Sequence, residues 1–392
     1  MEKPGVLGKG VLIRVEPVTD RATLKEFVRL PWKLYHGDPH WIPPLLVERL
    51  HTFSQKNPYF QHARWQCWLA YRGQEPVGRI CAQIDDLHLS RYQAKTGFFG
   101  LLEAEEDDSV FQALFQTAET WLQIHGMTNV RGPFNLSINQ ECGLLVDGFD
   151  SPPMIMMGHA RPYYAQLVER NAYEKAQDLL AYRIGIHFSF PPGVSLFLKK
   201  AKTSMRIRSL RRKHLKEDLA IIKNIFEEAW SDNWGFLPFT DAEFDEIGQQ
   251  LKLLVEDDFV QIAEIDGEPT AMLVAFPNIH EVIRDLNGKL FPWGWLKILW
   301  RLKAAYPRSA RVALMGVRKR FQSSPMGAAM AYGLIEAVRE GGLRKNIQQI
   351  ETSWILEGNN RMRHILESLG AEPYKTYRIY EKHLQGSQGS VS

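Results

Sequence analysis

The pattern of hydrophobic residues predicts strands in some segments and helices in others, and the same order of predicted elements occurs twice along the chain. Apolar runs on either side of a glycine-containing turn predict two β-hairpins, one over 71–84 and one over 264–276. Apolar residues three and four positions apart predict an amphipathic helix near Asp108, a residue that is able to cap it. The apolar face of that helix consists of Phe111, Leu114, Phe115, Ala118, Trp121 and Leu122.

The two hairpins belong to a longer internal repeat. Gly73 and Gly267 occupy the two turns, and Trp41 and Trp234 stand in loops upstream of them. The offsets are 194 residues (267 − 73) and 193 residues (234 − 41), which indicates a duplicated unit. Further strands are predicted at 97–104, 128–134 and 179–184 in the first half and at 311–317, 347–356 and 375–382 in the second. Each half therefore follows the order strand, helix pair, hairpin, strand, helix, strand, helix, strand, which predicts an α/β fold.

Composition narrows the class of protein. The chain has 392 residues, 45% of them hydrophobic, and a net charge of +3, so it has no general attraction to nucleic acid and no nucleic-acid partner is expected. Cys67, Cys81 and Cys142 include no CxxC pair, so no metal is expected, and Cys142 is predicted to be structural. The first residues lack the apolar core of a signal peptide, which predicts a cytoplasmic protein.

One stretch departs from the even charge balance. Nine of the eighteen residues from 199 to 216 are Lys or Arg. One interpretation is a patch that binds anionic lipid or nucleic acid. The other interpretation, which we favour, is a solvated strand edge and helix start beside the connection between the halves.

A second departure from the repeat is an insertion in the second half, over 277–309. Its segment 289–306 contains three Trp, four Leu and four basic residues, and it is too short and too charged to span a bilayer. Three interpretations stay open: peripheral contact with a membrane, the wall of an apolar pocket, or a helix packed between the halves. Each of them places bulky apolar surface near the expected site, which favours a long-chain or lipid-like substrate.

Polar residues alternate in one segment of the first half. At every second position stand Asn135, Ser137, Asn139 and Glu141. In an extended chain these side chains face one way, which suggests a ligand surface that Tyr163 and Tyr164, at the next helix start, would join. The alternative interpretation is a solvent-facing loop edge.

The segment 321–330, FQSSPMGAAM, lies between a predicted strand and a predicted helix. Such a junction forms an anion site because the first N–H groups of a helix have no partners. The segment is similar to the pyrophosphate loop Q/R-x-x-G-x-G/A of the GNAT superfamily of acyl-CoA-dependent N-acyltransferases. Gln322 and Gly327 match that pattern, whereas Pro325 replaces its middle glycine.

A second mark of the GNAT superfamily lies further along the chain. Asn359 stands at the start of the last predicted helix, eleven residues (370 − 359) before Gly370. The resemblance is clearest over about 205–383, and it implies a tandem pair of GNAT folds with mixed central sheets flanked by helices. The implied division is a first domain over 1–190, a second domain over 191–385 and a disordered tail over 386–392.

The first half resembles the same fold without a phosphate loop. An acidic run, from Glu105 to Asp108, stands where that loop is expected, and it would repel a pyrophosphate. We therefore expect the first half not to bind CoA in the usual way. The motifs DPHWIPPL, GFFGLLE, GLLVDGFDSPP and WSDNWGF are similar to a group of bacterial tandem-GNAT proteins to which bacterial ceramide synthases are related.

The resemblance implies an acyl-CoA site in the second half. Gly316 is expected to let the ligand approach the backbone closely, and the backbone beside it would stabilise the oxyanion. The implied cofactor-binding residues are Met315, Gly316, Val317, Gln322, Ser323, Ser324, Gly327, Ala328 and Asn359.

The expected reaction also constrains the catalytic groups. An amine must be neutral when it attacks a thioester, so a base is required, and Glu351 and Ser353 share one face of a predicted strand. Leu366 stands where many family members have a tyrosine as general acid, so Tyr374, Tyr377 or water would replace that acid. The helix-pair loop that borders the acceptor in this fold contains Asp232, Asn233 and Trp234.

The predicted function is acyl-CoA-dependent N-acyl transfer, of an acetyl or, preferably, a long-chain group. The acceptor would be a small-molecule or lipid primary amine that binds between the halves. The alternative is a non-catalytic ligand-binding protein on a degenerate tandem GNAT scaffold. A cytoplasmic protein, membrane-associated if 289–306 contacts lipid, and a monomer or homodimer are expected.

Overall fold

The computed structural model describes residues 12–201 and 204–384. Three parts of the sequence-based predictions lie outside the described residues: the tail 386–392, the two ends of the predicted domains at 1–11 and 385, and residues 202 and 203 of the basic stretch. In the part of the chain that is described, no helix combines the length and apolar character needed to cross a membrane.

The two halves share the predicted order of strand, helix pair, hairpin, strand, helix, strand, helix and strand, and each half has additional short elements. The first half contains β1 (Ile13–Pro17), α1 (Arg21–Leu34), α2 (Leu46–Thr52), β2 (Ala63–Arg72), β3 (Glu75–Asp85), α3 (Asp86–Tyr92), β4 (Thr96–Ala104), α4 (Asp108–Ile124), β5 (Asn129–Gly132), β6 (Phe134–Asn135), β7 (Glu141–Cys142), β8 (Leu144–Asp147), α5 (Tyr163–Arg170) and β9 (Glu174–Gly185). The second half contains α6 (Pro192–Ala201), β10 (Arg206–Ser209), α7 (Leu215–Trp230), α8 (Asp241–Leu254), β11 (Val260–Ile265), β12 (Glu268–Pro277), α9 (Ile279–Ile283), α10 (Gly294–Ala304), β13 (Ser309–Val317), α11 (Lys319–Gln322), α12 (Pro325–Arg344), β14 (Gln349–Leu356), α13 (Asn360–Ser368) and β15 (Glu372–His383).

Both predicted hairpins are confirmed. The turns pass through Gly73 (φ 65°) and Gly267 (φ 83°), which adopt a positive φ without steric strain because glycine has no Cβ. The predicted helix after β4 is also present. Its cap is Asp107 rather than Asp108, because the side chain of Asp107 accepts a hydrogen bond from the N–H of Ser109.

One mixed sheet runs through both halves, in the order β1-β2-β3-β4-β5-β15-β9-β14-β13-β12-β11-β10, and β8 pairs with β15 off this path. The last strand of each half lies in the sheet of the other, because β15 is next to β5 and β9 is next to β14. Between them, β9 and β15 pair antiparallel, from Glu372 with Arg183 to Glu381 with Glu174. The predicted boundary at residues 190 and 191 therefore separates two units that each contribute a strand to the other.

Each half has its own hydrophobic core between the sheet and its helices. In the first, the apolar face of α4, including Phe111 and Phe115, packs on strands β3 and β4. In the second, Met272 of β12 and Leu334 of α12 belong to the equivalent core. The fold is of the predicted α/β class, a mixed sheet flanked by helices.

The fourth and fifth strands of the second half separate part of the way along. β13 and β14 are parallel, and they pair only from Ser309 with Gln349 to Val312 with Thr352. Beyond that point the backbone edges of the two strands are no longer paired with one another. This separation creates the space in which the candidate site lies.

The equivalent space in the first half is filled by the chain itself. The short strand β6 runs beside β4, and a Cβ added at Gly100 would overlap the carbonyl oxygen of Phe134. The side chain of Asn135 also accepts a hydrogen bond from the N–H of Leu101 at 2.8 Å. The backbone of β4 is therefore already paired within the first half, whereas the equivalent backbone of β13 in the second half is not paired with β14.

Three arginines of the basic stretch form ion pairs within the second half. Arg208 and Arg211 both contact Asp218, which is fully buried, at 2.9 and 2.7 Å. Arg212 contacts Asp257. These contacts hold the edge strand β10 and the start of α7 together, as the favoured interpretation of 199–216 expects, but the side chain of Arg208 is only 11% exposed rather than solvated.

Candidate active site

A cavity of about 1150 Å³ lies where β13 and β14 separate. Its walls come from these two strands, from the first turns of α12 and α13 and from the loop 231–240, and it extends to Asn139 and Cys142 of the first half. All nine predicted cofactor-binding residues line it: Met315, Gly316, Val317, Gln322, Ser323, Ser324, Gly327, Ala328 and Asn359.

The start of α12 has fewer free donors than the sequence pattern suggests. The hydroxyl of Ser324 accepts a hydrogen bond from the N–H of Gly327 at 3.1 Å and donates to the carbonyl of Phe321 at 2.8 Å. Pro325, the first helical residue, has no N–H. Gly327 is required because a Cβ there would overlap the carbonyl oxygen of Phe321. The Gly327 N–H is therefore engaged in the helix cap.

A cation that was not predicted lies beside this loop. The side chain of Gln322 is engaged in the fold, because its Nε2 donates to the carbonyls of Val317 at 2.9 Å and Ala229 at 3.2 Å. Arg361, in the first turn of α13, donates to the carbonyl of Gln322, and its Nη2 lies 3.4 Å from the hydroxyl of Ser323. Parallel strands end at the same edge of a sheet, so a basic residue just after β14 lies near the loop that follows β13. The position of Arg361 in the sequence could therefore have indicated its place in the site.

The second predicted GNAT motif has a structural role. Asn359 caps α13, because its side chain accepts a hydrogen bond from the N–H of Met362 at 3.2 Å. Gly370 follows the helix with φ 85°. Leu366 is buried against Tyr182, so the position of the family's usual tyrosine offers no acid.

The backbone of β13 presents a donor to the cavity. The carbonyl of Met315 accepts a hydrogen bond from the indole of Trp230 at 3.1 Å, so it points away from β12. Since the N–H and C=O of a strand residue point to the same side, the Met315 N–H faces the cavity too. Gly316 has a different role from the expected one: a Cβ there would lie 3.1 Å from the Cβ of Ala229. Its lack of a side chain thus allows α7, rather than a ligand, to approach.

The two predicted catalytic residues are connected, but only one of them lines the cavity. Glu351 is 0% exposed, and its Oε1 lies 3.6 Å from Nε of Arg311, which is also fully buried. The same Nε donates a hydrogen bond to the hydroxyl of Ser353, and Ser353 lines the cavity. Tyr374 donates its hydroxyl hydrogen to Glu351. Arg311, which was not predicted, holds both catalytic candidates.

The electrostatics of this cluster favour Glu351 as a base. Burial raises the pKa of Glu351, although Arg311 and hydrogen bonds from Tyr374 and Ser353 oppose this change. A carboxylate with a raised pKa binds a proton more readily at neutral pH. Burial also lowers the pKa of the neighbouring Lys375 to about 8, despite the attraction of Glu351.

Several buried polar atoms of this cluster have no hydrogen-bond partner among the described residues: Arg311 Nη2, Glu351 Oε1, Trp354 Nε1 and Tyr377 Oη. Protein interiors satisfy most such atoms, so four in one place favour a site for polar groups of a ligand. The indole of Trp354 lines the cavity, and the guanidinium of Arg311 lies 4.4 Å from its ring centroid. The unsatisfied cluster therefore adjoins the cavity.

The predicted acceptor loop does border the cavity. Asp232, Asn233 and Trp234 all line it. Asp232 pairs with Lys319 at 2.6 Å, and the guanidinium of Arg131 lies 4.9 Å from the centroid of the Trp234 ring. This loop of the second half therefore contacts β5 of the first half.

The alternating polar segment of the first half is not extended, contrary to the prediction. It folds back on itself as the hairpin of β6 and β7, with Leu136 at φ 88°, so its polar side chains do not face one way. Of the four alternating polar residues, only Asn139 lines the cavity, and its Nδ2 donates to the carbonyl of Leu237 at 3.1 Å. Ser137 is buried and accepts a hydrogen bond from the N–H of Asn139.

Asn135 and Glu141 belong to a polar network inside the first half. Glu141 pairs with Arg49 at 2.5 Å, and Asn135 donates to the same carboxylate at 3.0 Å. Although burial opposes it, Arg49 lowers the pKa of Glu141. These two residues stabilise the hairpin rather than line the cavity.

Tyr163 and Tyr164 also face the interior of the first half. The hydroxyl of Tyr164 donates to Glu103 at 2.8 Å, and that of Tyr163 donates to the carbonyl of Ala104 at 2.7 Å. Neither contributes to the lining of the cavity. The structure therefore does not bring these two tyrosines to the cavity, and their role in ligand binding is not supported.

The acidic run after β4 is held by ion pairs. Arg72 contacts Glu105 at 2.7 Å and Asp107 at 2.8 Å, and Lys33 contacts Glu105 at 2.8 Å. Together with the filled space beside β4, this favours the prediction that the first half does not bind CoA.

Among residues 12–201 and 204–384, no group of three His, Cys, Asp or Glu side chains is arranged to hold a metal ion. The three cysteines are free and buried. Burial raises the pKa of Cys142 to about 12, so its thiol is a poor nucleophile at neutral pH.

These features define a tandem pair of GNAT folds. The match to a tandem GNAT protein from the clavulanic acid biosynthesis pathway covers 96% of this chain and 100% of that protein, with a TM-score of 0.56 and 12% identity. A GCN5-related N-acetyltransferase from Sphaerobacter thermophilus covers 95% of this chain, over 96% of its own length, with a TM-score of 0.53 and 11% identity. At such low sequence identity, the structural similarity shows that the fold is shared.

Two curated bacterial proteins are similar over nearly the whole sequence. Protein YghO of Escherichia coli (strain K12) is 48% identical over 371 residues, which cover 94% of this chain and 95% of the relative. A bacterial ceramide synthase of Caulobacter vibrioides is 44% identical over 375 residues, which cover 95% and 98%. The chain belongs to the family that includes these two proteins. A scan of protein-family models found no match.

Proposed function

We propose that the protein is an acyl-CoA-dependent N-acyltransferase that transfers an acyl group to a primary amine. The observation that carries this proposal is the cavity between the separated strands β13 and β14. One of its walls presents the Met315 N–H, and the other presents Ser353 with Glu351 behind it. A donor and a base on opposite sides of one space are what acyl transfer requires.

The fit of the donor is supported at both ends of the cavity. At the polar end, Ser323 and Arg361 stand at the first turns of α12 and α13, where an anion also meets helix N-termini. At the other end the lining is largely apolar. A volume of about 1150 Å³ exceeds the roughly 300–1,000 Å³ of drug-sized ligand pockets, which leaves room for donor and acceptor together. The apolar lining supports a long acyl chain over an acetyl group.

The reaction follows from the positions of these groups. The amine nitrogen forms a bond to the thioester carbon, and the C–S bond breaks. The proton of the amine passes to the hydroxyl of Ser353, whose own proton passes to Glu351. Arg311 positions both side chains. The oxyanion that develops on the carbonyl oxygen accepts a hydrogen bond from Met315.

The thiolate that leaves takes its proton from water. Leu366 occupies the position of the family's usual acid, and the hydroxyl hydrogen of Tyr374 is directed at Glu351. A CoA thiolate is a good enough leaving group for a water proton to suffice.

For the acceptor we propose a long-chain amino alcohol of the sphingoid-base type, so that the product is a ceramide. The name of the Caulobacter relative supports this class. Ser353 and Trp354 line the cavity and offer a hydroxyl group and an indole N–H to an amine with neighbouring hydroxyl groups. Trp234 and Asn139 line the part of the cavity between the halves, where the acceptor would enter.

Calorimetric titration with CoA, acetyl-CoA and palmitoyl-CoA tests the donor site. We expect palmitoyl-CoA to bind most tightly, and release of free thiol on addition of sphinganine, with N-palmitoyl-sphinganine found by mass spectrometry. Absence of binding to all three ligands at millimolar concentration would falsify the proposal.

The second candidate function is a binding protein without catalysis. Leu366 at the acid position and the engaged Gly327 N–H favour it. It predicts that palmitoyl-CoA binds but that no thiol is released with sphinganine or with a panel of shorter amines. Turnover with any amine excludes it.

A further inference from the structure

The insertion before β13 forms a strongly exposed apolar surface. Phe291 and Trp293 are each 68% exposed and Trp300 is 63% exposed. We call the whole set the α10 surface: Phe291, Trp293, Trp295, Leu296, Leu299 and Trp300. Within α10, Leu296, Leu299, Trp300 and Lys303 recur at spacings of three and four, so they share one face of the helix.

The opposite face of α10 is firmly anchored. Ile298 and Leu302 pack against a small core that contains Val282 and Leu286 of the insertion and Ile42 of the first half. This core crosses between the halves, so the helix is a fixed part of the fold. The interpretation of 289–306 as a helix packed between the halves describes this inner face, whereas the residues of the α10 surface are 41 to 68% exposed.

The charges around the surface are mostly positive. Lys289, Lys297, Arg301 and Lys303 lie on or beside α10, and one carboxylate, Asp285, contacts both Arg301 and Lys297. Exposed tryptophans between basic residues match the headgroup region of a bilayer, where an indole meets both apolar chains and polar headgroups. We propose that the α10 surface docks the protein on a bilayer that contains anionic lipid.

The charge of the surface argues against a second copy of the chain as its occupant. A two-fold contact would bring Lys297 and Lys303 of both copies close together, and like charges repel. An anionic bilayer has no such cost, because a short amphipathic helix binds it through inserted apolar side chains and attraction to anionic headgroups.

The proposal concerns the whole chain and does not depend on catalysis, so it is tested without acyl-CoA. The probe is sedimentation with vesicles of phosphatidylcholine alone and of phosphatidylcholine with phosphatidylglycerol. We expect the wild-type protein to sediment with the mixed vesicles and at least about tenfold less with the neutral ones, and we expect added salt to weaken the binding.

The main variant is Trp293→Ser with Trp300→Ser, which removes two rings that are 68% and 63% exposed. We expect at least a tenfold weaker partition into mixed vesicles, with an unchanged melting temperature. The matched control is Ile124→Ser, because Ile124 is 76% exposed at the end of α4, away from the insertion. The control is expected to bind vesicles as the wild type does.

A second variant tests the charge. Lys297→Gln with Lys303→Gln is expected to reduce the preference for anionic vesicles several-fold. Equal binding of the tryptophan variant and the wild type would overturn the proposal. So would a wild type that binds no vesicle but dimerises through this surface, which light scattering on the wild type and the tryptophan variant would reveal.

Discussion

Arg311 and Glu351 face each other as register partners on parallel strands, one pair before those strands separate. Neither side chain reaches solvent, and Nε of Arg311 lies 3.6 Å from Oε1 of Glu351. Burial of a charged pair is costly unless its geometry and hydrogen bonds compensate. Two atoms of this pair are unsatisfied, so the pair is better suited to proton transfer and ligand recognition than to stability.

Glu351→Gln is expected to lower kcat for thiol release at least 100-fold, because an amide cannot accept the proton. The affinity for palmitoyl-CoA should change little, since Glu351 does not line the cavity in which the donor would bind. The raised pKa of Glu351 places the acid limb of the wild-type pH profile above the ordinary carboxyl value of 4.5, and that limb should disappear in the variant.

The matched control for this variant is Glu357→Gln. Glu357 follows the same strand, but it pairs with Lys175 at 2.6 Å in a part-exposed position. We expect near wild-type activity from the control. An activity above one third of the wild type in Glu351→Gln would exclude Glu351 as the base.

Arg361→Ala is expected to weaken CoA binding about tenfold, or ~1.4 kcal/mol, because it removes the cation beside Ser323. Since the contact is electrostatic, the difference from the wild type should shrink at high salt. Arg363→Ala is the control: the same charge is lost from the same helix, but Arg363 contacts Tyr182 and a backbone carbonyl instead. Equal calorimetric affinities of the two variants would contradict this prediction.

His62 joins the two halves by a titratable contact. Its ring lies 3.2 Å from Asp85 of the first half and 3.3 Å from Glu243 of the second. Burial lowers the pKa of His62, but the hydrogen bonds that its ring donates to the two carboxylates outweigh burial and raise the pKa to about 9. A raised folded-state pKa means that the stabilisation is full below the ordinary 6.5 and is lost as pH rises through 9.

His62→Gln should therefore lower the free energy of unfolding at pH 6, by about 1 kcal/mol after allowance for solvent screening. The difference should vanish above pH 9. Denaturant melts of both proteins at pH 6, 7.5 and 9.5 provide the measurement. A difference that stays constant over this range would show that His62 is not charged in the folded protein.

Because β9 and β15 each pair with a strand of the other half, we expect each half to need the other for its stability. Fragments 1–190 and 191–392, expressed together with a tag on one, should co-purify as a complex, because each supplies a strand to the sheet of the other. Fragment 191–371, which lacks β15, serves as the control and should be captured much less. Independent, soluble and stable fragments that do not associate would refute the prediction.

The elements of the fold were predictable because they depend on local periodicity. Both hairpins follow from glycines at turn positions, and α4 follows from apolar residues at helical spacing. The position of its cap differed by one residue, since Asp107 and Asp108 are chemically equivalent and only the backbone geometry distinguishes them. The resemblance to GNAT proteins correctly indicated the tandem fold.

The candidate site was predictable only in part. The loop after β13 and Asp232 to Trp234 line the cavity, and their roles in binding stay predictions. Arg311 and Arg361 were missed, although an arginine in an otherwise apolar strand and a basic residue after β14 were visible signals. The alternating segment was misinterpreted because the turn at Leu136 reverses the chain.

The sequence by itself determined the duplicated order of strands and helices, since periodicity and turn chemistry act over a few residues. It also indicated which turn and which strands would form the site. Only the tertiary structure decided that β9 and β15 each pair with a strand of the other half, because strand pairing joins residues from distant parts of the chain. It also decided that Glu351 is buried against Arg311 and that α10 stays exposed, because burial depends on what packs against a residue from elsewhere in the fold.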